Sequence, residues 1–414
     1  MGVIFLRFLG VTLTVFSTYY VTDKISSNDI SLAEYVTTDC ILQNKKGREV
    51  ATNLPPQPCS LIRYQRGDVL IANIRPYLKK VWFADIDGGA SPDVLVFRAK
   101  DGHSPSFLYA ILLQDSFFDY VMQGTKGSKM PRGDKEQILR YEMPTFSCSE
   151  ESIGTFFLNL DRKIHLNERI NQNLEAMAKQ LYNYWFVQFD FPNEEGKPYK
   201  SSGGKMVWNE KLKREIPFGW HCGNLFEIAV FTNGLACQKF RPKDDEASLP
   251  VIKIREMHDG ISADTEKVTP NIPESVKVYN GDVLFSWSAS LEVMLWAYGL
   301  GGLNQHIFKV TSANDFPKSF FYFQLLDYVD VFKKMAEARK TTMGHITQDH
   351  LQQSAIAIPD NKDIADRFEE LISPIFNQII KLHEEILNLT KQRDKLLPLL
   401  MNGQVSVNSD LSHD

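Results

Sequence analysis

The chain repeats itself, and this internal repeat constrains its fold more than any other feature of the sequence. The segment RGDVL at 66–70 recurs 214 residues later as NGDVL at 280–284, and VWFA at 81–84 is echoed by LWAY at 295–298. Self-similarity at a fixed offset indicates one structural unit used twice. The length of 414 residues alone suggests two or three domains, which need not be related to one another. The repeat instead predicts two related globular domains.

Each half is followed by a long apolar stripe with the spacing of a coiled coil. From Ile153 to Trp185 the stripe positions step by alternating fours and threes, and the same phase recurs from Phe368 to Leu400. This 3.5-residue period over more than four heptads predicts two paired helices, each roughly 50 Å long. The predicted core of the helix pair comprises Phe157, Leu160, Ile164, Leu174, Leu181, Ile372, Ile375, Ile379, Ile386, Leu389 and Leu396.

Three polar residues, Asn167, Asn171 and Arg393, interrupt the stripes. Polar residues at core positions reduce stability but can fix the register of a helix pair, or they can face a partner. The sequence leaves both roles open. The heptads also leave open whether the two helices run parallel or antiparallel.

These signals predict an α+β fold with two globular domains in tandem, each followed by a long α-helix. A stretch rich in Gly, Lys and Ser separates the first helix from the second domain, and an Asn-Gly stop follows the second helix. The predicted segments are a first domain (1–150), a first helix (151–190), a linker (191–215), a second domain (216–359), a second helix (360–402) and a polar tail (403–414).

Composition and missing motifs favour a binding protein over an enzyme. With 43% hydrophobic and 23% charged residues and a net charge of −5, the chain is neither a disordered nor a collagen-like protein. Its five cysteines form no CxxC pair, which argues against a zinc finger and suits a reducing compartment. The glycine-lysine stretches at 124–129 and 201–205 lack the spacing of a phosphate-binding loop, and no G-x-G-x-x-G follows a strand. We expect no metal site and no catalytic residue.

The loops instead carry clustered cations and polar side chains that suit nucleic acid. Arg and Lys dock phosphates or guanine edges, Asn pairs with adenine, and Ser or Thr serve either role, although a lone cation is commonly just a solvated surface charge. Similar frameworks with divergent loops are typical of recognition modules. The candidate DNA-binding residues are Asn73, Arg75, Lys79, Lys80, Lys126, Lys129 and Arg132 in the first half, and Ser286, Trp287, Ser288, Arg339, Lys340, Thr341, Thr342 and His345 in the second.

The amino terminus is ambiguous. Residues 3–21 are apolar enough to suggest a signal peptide, but Arg7 lies inside the run and no cleavage-site pattern follows. Val11, Leu13 and Val15 alternate with threonines, which favours a buried strand. A third possibility is that residues 1–19 are foreign to the first domain, which an interior strand at 8–16 would contradict. No segment is apolar enough for a transmembrane helix, so we expect a cytoplasmic protein with no membrane partner.

The layout and several motifs resemble the DNA-specificity subunits of type I restriction–modification systems. The resemblance covers nearly the whole chain from about Tyr20. Its motifs are GDVL at 67–70 and 281–284, LYNYWF at 181–186, IPFGW at 216–220, TMGHI at 342–346 and LPLLMNG at 397–403. The first half has no equivalent of IPFGW, which puts the opening segment of the first domain in doubt.

The resemblance implies a fold and a set of partners. Each globular unit is then a target-recognition domain for one half of a split site in double-stranded DNA, and the helices pair as an antiparallel coiled coil that spaces the half-sites. Two methyltransferase subunits carry S-adenosylmethionine, restriction subunits use ATP and Mg²⁺, and the chain itself binds no cofactor. It is then the non-catalytic component of a DNA-modification and restriction complex. The alternatives are a self-contained DNA methyltransferase or nuclease, and a coiled-coil scaffold that binds no DNA.

Overall fold

The structure, a computed structural model, divides the chain into two compact units. It describes residues 11–17, 20–125, 129–143, 149–243, 246–262, 264–288, 290–338, 348–401 and 404. Unit 1 comprises residues 1–166 and 388–414, and unit 2 comprises residues 167–387. The division falls inside both long helices, so each unit takes one stretch of each helix. The predicted segment boundaries had instead treated the helices as separate from the globular domains.

Unit 1 is built from short strands followed by helices. Its elements, up to the first long helix, are β1 (Val11–Thr12), α1 (Leu13–Phe16), β2 (Lys24–Ser26), β3 (Tyr35–Val36), β4 (Ser60–Tyr64), β5 (Val69–Ala72), β6 (Val81–Phe83), β7 (Gly88–Ala90), β8 (Val94–Phe97), α2 (Pro105–Leu112), α3 (Asp115–Gln123), α4 (Lys135–Leu139), β9 (Glu142–Met143) and α5 (Glu150–Tyr182). They form a sheet of order β2-β4-β7-β3, a sheet of order β6-β5-β8 and the pair β1-β9.

Unit 2 repeats this plan with additional strands. Its elements are β10 (Met206–Asn209), β11 (Arg214–Pro217), β12 (Trp220–Gly223), α6 (Leu225–Ile228), β13 (Ala229–Asn233), β14 (Leu249–Ile252), α7 (Ile254–Asp259), β15 (Lys267–Val268), β16 (Lys277–Val278), β17 (Val283–Ser286), β18 (Glu292–Leu295), β19 (Gly301–Leu303), β20 (Ile307–Ser312), α8 (Lys318–Ala338), α9 (Gln348–Gln352), β21 (Ile356–Pro359) and α10 (Asp363–Met401). The sheets have the orders β13-β20-β17-β18 and β15-β14-β19-β16, and β10-β11 and β12-β21 form pairs.

The strand pairings confirm that one fold is used twice. In unit 1, β5 pairs antiparallel with β6 and β8, and in unit 2 β17 pairs in the same way with β18 and β20. The glycine-rich strands also correspond, because β7 pairs parallel with β3 and β19 pairs parallel with β14. The mixed strand and helix content matches the predicted α+β class.

The repeated GDVL segment begins the central strand of each unit and serves the fold. Gly67 has φ = 91°, which favours glycine, and Asp68 is buried and accepts hydrogen bonds from Arg98 Nε at 2.8 Å and Nη2 at 2.7 Å. Asp282 repeats this arrangement with Lys309, whose Nζ lies 2.8 Å from its carboxylate. The motif therefore marks an ion pair between neighbouring strands in both units, and its carboxylate is fully buried in unit 1 and partly buried in unit 2.

The central strands are buried throughout because both of their faces are covered, and β5 is entirely apolar. Val69 and Ile71 of β5 pack with the core that includes α2 and α3, whereas Leu70 packs on the opposite side with Trp82. A strand alternates its side chains between two faces, so a continuous apolar run indicates burial on both.

The opening segment is part of unit 1, although only two of its described residues are strand. Val11–Thr12 pairs with β9, but Leu13–Phe16 forms a helical turn, so the predicted alternating strand is wrong beyond Thr12. Leu13 and Phe16 are buried in the core. In unit 2 the strand β12 pairs with β21 and is likewise followed by a short helix, α6. Residues 11–16 thus pack with unit 1. The strand at 8–16 that would contradict a foreign origin of residues 1–19 is observed only at Val11–Thr12, and residues 1–10 lie outside the described residues, so that hypothesis stays a prediction.

The predicted stripe residues lie on the inner faces of α5 and α10. In unit 1, Phe157 and Ile164 are buried, and Leu160, Leu389 and Leu396 are half-buried. In unit 2, the buried members are Ile372 and Ile379, and the half-buried members are Leu174, Leu181, Ile375 and Ile386.

The interrupting polar residues bridge the two helices. In unit 2, Asn167 Nδ2 donates to Glu385 Oε2 at 2.9 Å, and Asn171 Nδ2 donates to the carbonyl oxygen of Ile379 at 3.4 Å. Rising residue numbers on α5 meet falling numbers on α10, so the helices run antiparallel. In unit 1, the buried Arg393 donates to Asp161 Oδ1 at 3.1 Å. These polar contacts restrict the register, because a slip would leave buried polar groups unpaired.

Candidate nucleic-acid interface

The loop between β5 and β6 in unit 1 is held in a constrained conformation. Arg75 and Lys79 both have positive φ, at 53° and 51°, and so do Asn44 and Lys45 in the segment beside them. Non-glycine residues rarely adopt this conformation, which costs on the order of 1 kcal/mol or more for each residue. Backbone hydrogen bonds from Asn44 to the carbonyl of Leu78 and from Lys45 to that of Lys79 hold the loop. Strained backbone retained in this way is typical of functional loops.

Three of the predicted DNA-binding side chains in this loop point inward. Asn73 is 92% buried and donates from Nδ2 to the carbonyl of Gly133 at 3.3 Å. Lys80 donates to the carbonyl of Thr38 at 2.6 Å, and Lys79 Nζ lies 2.9 Å from Asp115. These side chains position the loop, and we leave them out of the interface proposed below.

Asp115 joins the loop to the body of unit 1. Its carboxylate lies 2.8 Å from Nζ of the buried Lys45 as well as near Lys79. Burial would raise the pKa of Asp115, but the two ammonium groups outweigh it and hold the pKa below its usual value. Lys45 Nζ also lies 3.4 Å from Asp394 on α10, so the loop is tied electrostatically to the helix pair of its own unit.

We define patch 1 as four exposed cationic or aromatic side chains of this region: Arg75, Tyr77, Lys129 and Arg132. A backbone hydrogen bond from Arg75 to the carbonyl of Pro131 and a β-bridge between Ile74 and Arg132 bring the two segments together. Arg132 is 57% exposed and lies 3.3 Å from Asp93, a contact weak enough for a phosphate to replace. Tyr77, which the sequence candidates omitted although it lies in the same loop, is 50% exposed. Lys126 lies outside the described residues.

The corresponding loop of unit 2, between β17 and β18, has a different chemistry. Ser286 is fully buried and its hydroxyl donates to the carbonyl of Ser290, and Ser288 is also buried. Trp287 is half-buried, with its ring against His306 and Phe308. The two serines therefore build the turn, and we leave them out of the interface as well.

A neutral polar cluster surrounds the tryptophan, and we call it patch 2: Asn233, Trp287, Gln305 and His306. Trp287 Nε1 donates to Asn233 Oδ1 at 3.3 Å, and Gln305 Nε2 lies 3.3 Å from His306 Nε2. Asn233 and His306 are exposed. Sequence reasoning missed three of the four because they lie on β13 and before β20, and only the sheet brings them to Trp287. Arg339, Lys340, Thr341, Thr342 and His345 fall outside the part of the chain that the structure describes.

Two features of the described residues bear on other functions. Among them, no group of three or more His, Cys, Asp or Glu side chains is arranged to hold a metal ion. Within the same residues, no helix is long and apolar enough to cross a membrane.

The second half of the chain matches a known family model. Residues 217–390 match the family model described as the type I restriction modification DNA specificity domain. Residues 217–390 of this chain are therefore similar to that domain. This domain spans β12 to β21 and most of α10, so it contains patch 2 and one member of the helix pair.

The similarity to type I specificity subunits extends over nearly the whole chain. The MjaIX specificity subunit of Methanocaldococcus jannaschii is 24% identical over 92% of this chain and 86% of its own length. The HindI specificity subunit of Haemophilus influenzae is 22% identical over 90% of this chain and 94% of its own length. The crystal structure of a type I restriction–modification S subunit from M. genitalium shares the fold, with a TM-score of 0.57 at 13% identity, and the match covers 94% of this chain and 95% of that one.

Proposed function

We propose that this chain is the DNA-specificity subunit of a type I restriction–modification complex and that each unit recognises one half of a bipartite DNA site. The observation that carries the proposal is the contrast between patch 1 and patch 2. In unit 1 the strand framework presents three cations and a tyrosine. In unit 2 the same framework presents amide, indole and imidazole groups. A constant scaffold with different chemistry at one loop is what two half-sites of different sequence require.

The two patches suit different contacts with DNA. Arg75, Lys129 and Arg132 can dock phosphates or a guanine edge, and the exposed ring of Tyr77 can stack on a base or a sugar. In patch 2, Asn233 and Gln305 carry amides of the kind that pair with adenine. We infer that patch 1 contributes more of the salt-dependent affinity and that patch 2 contributes mainly base discrimination.

We propose that methyltransferase subunits dock on the outer face of the helix pair. In unit 2, three apolar side chains are exposed at seven-residue intervals along α5 and the turn that follows it: Ile170, Met177 and Tyr184. Each of them comes one position before a buried residue of the stripe, namely Asn171, Ala178 or Trp185. Exposed apolar side chains at heptad spacing form a second seam for a further helix. Two methyltransferase subunits with S-adenosylmethionine, and restriction subunits with ATP and Mg²⁺, would then supply the chemistry, and this chain would supply recognition without catalysis.

The test is a domain exchange in the reconstituted methyltransferase. Residues 221–358 are replaced by the corresponding residues of a relative with a different target, and the methylated sequences are mapped across a genome. One half-site should change while the other half-site and the spacing stay the same. A change in both half-sites, or no sequence preference in the complex, would contradict the proposal. Methyl transfer by the isolated chain would favour a self-contained enzyme instead.

A further inference from the structure

Unit 2 contains a cavity that the proposed function does not use. It has a volume of about 620 Å³ and lies between α5, β18, α8 and α10. Apolar and aromatic side chains line it, among them Leu295, Tyr322, Phe323, Phe376 and Ile379. A volume between roughly 300 and 1,000 Å³ with a mostly apolar lining and a few polar groups is typical of a small-molecule site.

One polar atom in the lining has no hydrogen-bond donor within the described part of the chain. Glu292 Oε2 is buried and makes no hydrogen bond among the residues described. His258 Nε2 lies 3.2 Å from this oxygen, but the two groups are not oriented for a hydrogen bond. A buried carboxylate oxygen without a donor is costly, so a donor from a ligand would relieve it.

The surroundings of the cavity are electrostatically negative. Burial raises the pKa of the Tyr322 hydroxyl, and the carboxylates of Glu175 and Glu292 raise it further. Lys179, the lysine of the lining, is already paired with Asp327. A cation that enters the cavity would therefore meet two carboxylates, of which Glu292 faces His258 at 3.2 Å, and the faces of aromatic rings, all of which attract it.

We propose that this cavity binds a small organic cation, a primary ammonium group attached to an apolar body, with the ammonium donating to Glu292 and the body against Phe323 and Phe376. An anionic ligand is disfavoured by the two carboxylates, and a purely apolar ligand would leave the Glu292 oxygen unpaired. The lining of the cavity shares no residue with patch 1 or patch 2, and the proposal does not depend on the function proposed above.

The experiment compares two probes of nearly equal size on the full-length chain by isothermal titration calorimetry. The probes are 2-phenylethylammonium and the neutral 2-phenylethanol. Binding of the ammonium should be saturable and about tenfold or more tighter than that of the alcohol, as expected for a hydrogen bond to a charged group. Equal affinities, or no saturable binding of the ammonium, would overturn the proposal.

Three variants locate the binding. Glu292→Gln keeps the side-chain shape and should weaken the ammonium about tenfold or more while leaving the alcohol unchanged. Ala176→Phe fills the cavity from the exposed face of α5 and should abolish binding of both probes. The control, Glu210→Gln on the exposed β10–β11 hairpin, should change neither affinity. Retained ammonium affinity in Glu292→Gln, or in Ala176→Phe with an unchanged circular dichroism spectrum, would place the binding elsewhere and refute the proposal.

Discussion

Arg393 and Asp161 form a buried ion pair between the two long helices in unit 1. Each charge stabilises the other, so removing one of them should destabilise unit 1 more than removing Asp161 and Arg393 together. Their side chains are 4% and 5% exposed, and Asp161 Oδ2 also accepts a hydrogen bond from the Tyr109 hydroxyl at 2.7 Å. Asp161→Leu leaves the guanidinium buried, with Asp394 as its remaining carboxylate at 3.0 Å, and removes the acceptor of Tyr109. We expect this change to lower the free energy of unfolding of unit 1 by about 3–5 kcal/mol.

The reverse single variant and the double variant separate the two contributions. Arg393→Met should cost about 3 kcal/mol, near the lower end of the range, because Tyr109 still donates to the remaining carboxylate. The double variant removes both charges and leaves the Tyr109 hydroxyl unpaired, which should cost only about 1–3 kcal/mol. The double variant should therefore be more stable than Asp161→Leu alone, with a coupling energy of about 3 kcal/mol or more.

Two units in one chain need not unfold together, so the assay must report unit 1 by itself. Of the six tryptophans, only Trp82 belongs to unit 1, and the ¹⁹F resonance of a 5-fluorotryptophan-labelled chain follows it through a urea titration. Glu136→Gln with Arg140→Met, an exposed ion pair of the same unit, is the control and should change stability by less than about 0.5 kcal/mol. The reasoning fails if Asp161→Leu costs under about 1 kcal/mol, or if the two single effects simply add.

Three further outcomes are expected. Arg132→Ala should weaken binding of the complex to all DNA sequences alike and reduce the salt dependence of log K by about one unit in slope; a changed target sequence would instead indicate a base contact. Burial alone would lower the pKa of His221, but its hydrogen bonds to Asp360 and Glu227 outweigh burial and raise the pKa. The stabilising effect of these hydrogen bonds is therefore fully present below the usual pKa of 6.5, and it is lost as the pH rises through the folded-state pKa. His221→Gln should thus destabilise unit 2 at about pH 5.5 and have no effect on its stability at about pH 9. Because His221 is half-exposed, the loss at about pH 5.5 should be less than about 1 kcal/mol. Equal losses at the two pH values would contradict a stabilising role for the protonated imidazole. Deleting one heptad, residues 167–173, should shift the spacer length recovered by selection from randomised DNA or prevent assembly, and an unchanged spacer in an assembled complex would exclude a spacing role for the helices.

The sequence predicted the architecture well because the architecture depends on periodicity. The repeated segments correspond to equivalent strands, and the 3.5-residue stripe corresponds to the inner faces of α5 and α10. Both signals are averages over many residues, so single exceptions such as Arg393 do not obscure them. The short strand–helix junction at 11–16 was predicted less well, because two residues of strand give no period to detect.

The DNA-binding role of the candidate residues stays a prediction, but the structure shows which of these side chains are exposed, and the reason that the sequence could not is geometric. Residue type and loop position made Asn73, Lys79 and Ser286 candidates for DNA binding on the same grounds as Arg75. In the structure the side chains of these three residues point inward and hold their loops together. A side chain that holds a loop and one that projects from it can be of the same type and lie next to each other in sequence. Burial and hydrogen-bond partners distinguish them, and both depend on residues far along the chain.

The sequence by itself determined that one α+β unit is used twice and that each copy is followed by a long helix. Periodicity and self-similarity can be recognised from the order of residues alone, without knowledge of tertiary contacts. The tertiary structure decided that the helices are antiparallel, that Asn167 and Asn171 bridge them, and that patch 2 exists at all. Each of these features depends on contacts between residues separated by about 20 to more than 200 positions. Such contacts arise only when the chain has packed, because the free energy of pairing polar groups and burying apolar ones depends on three-dimensional neighbours.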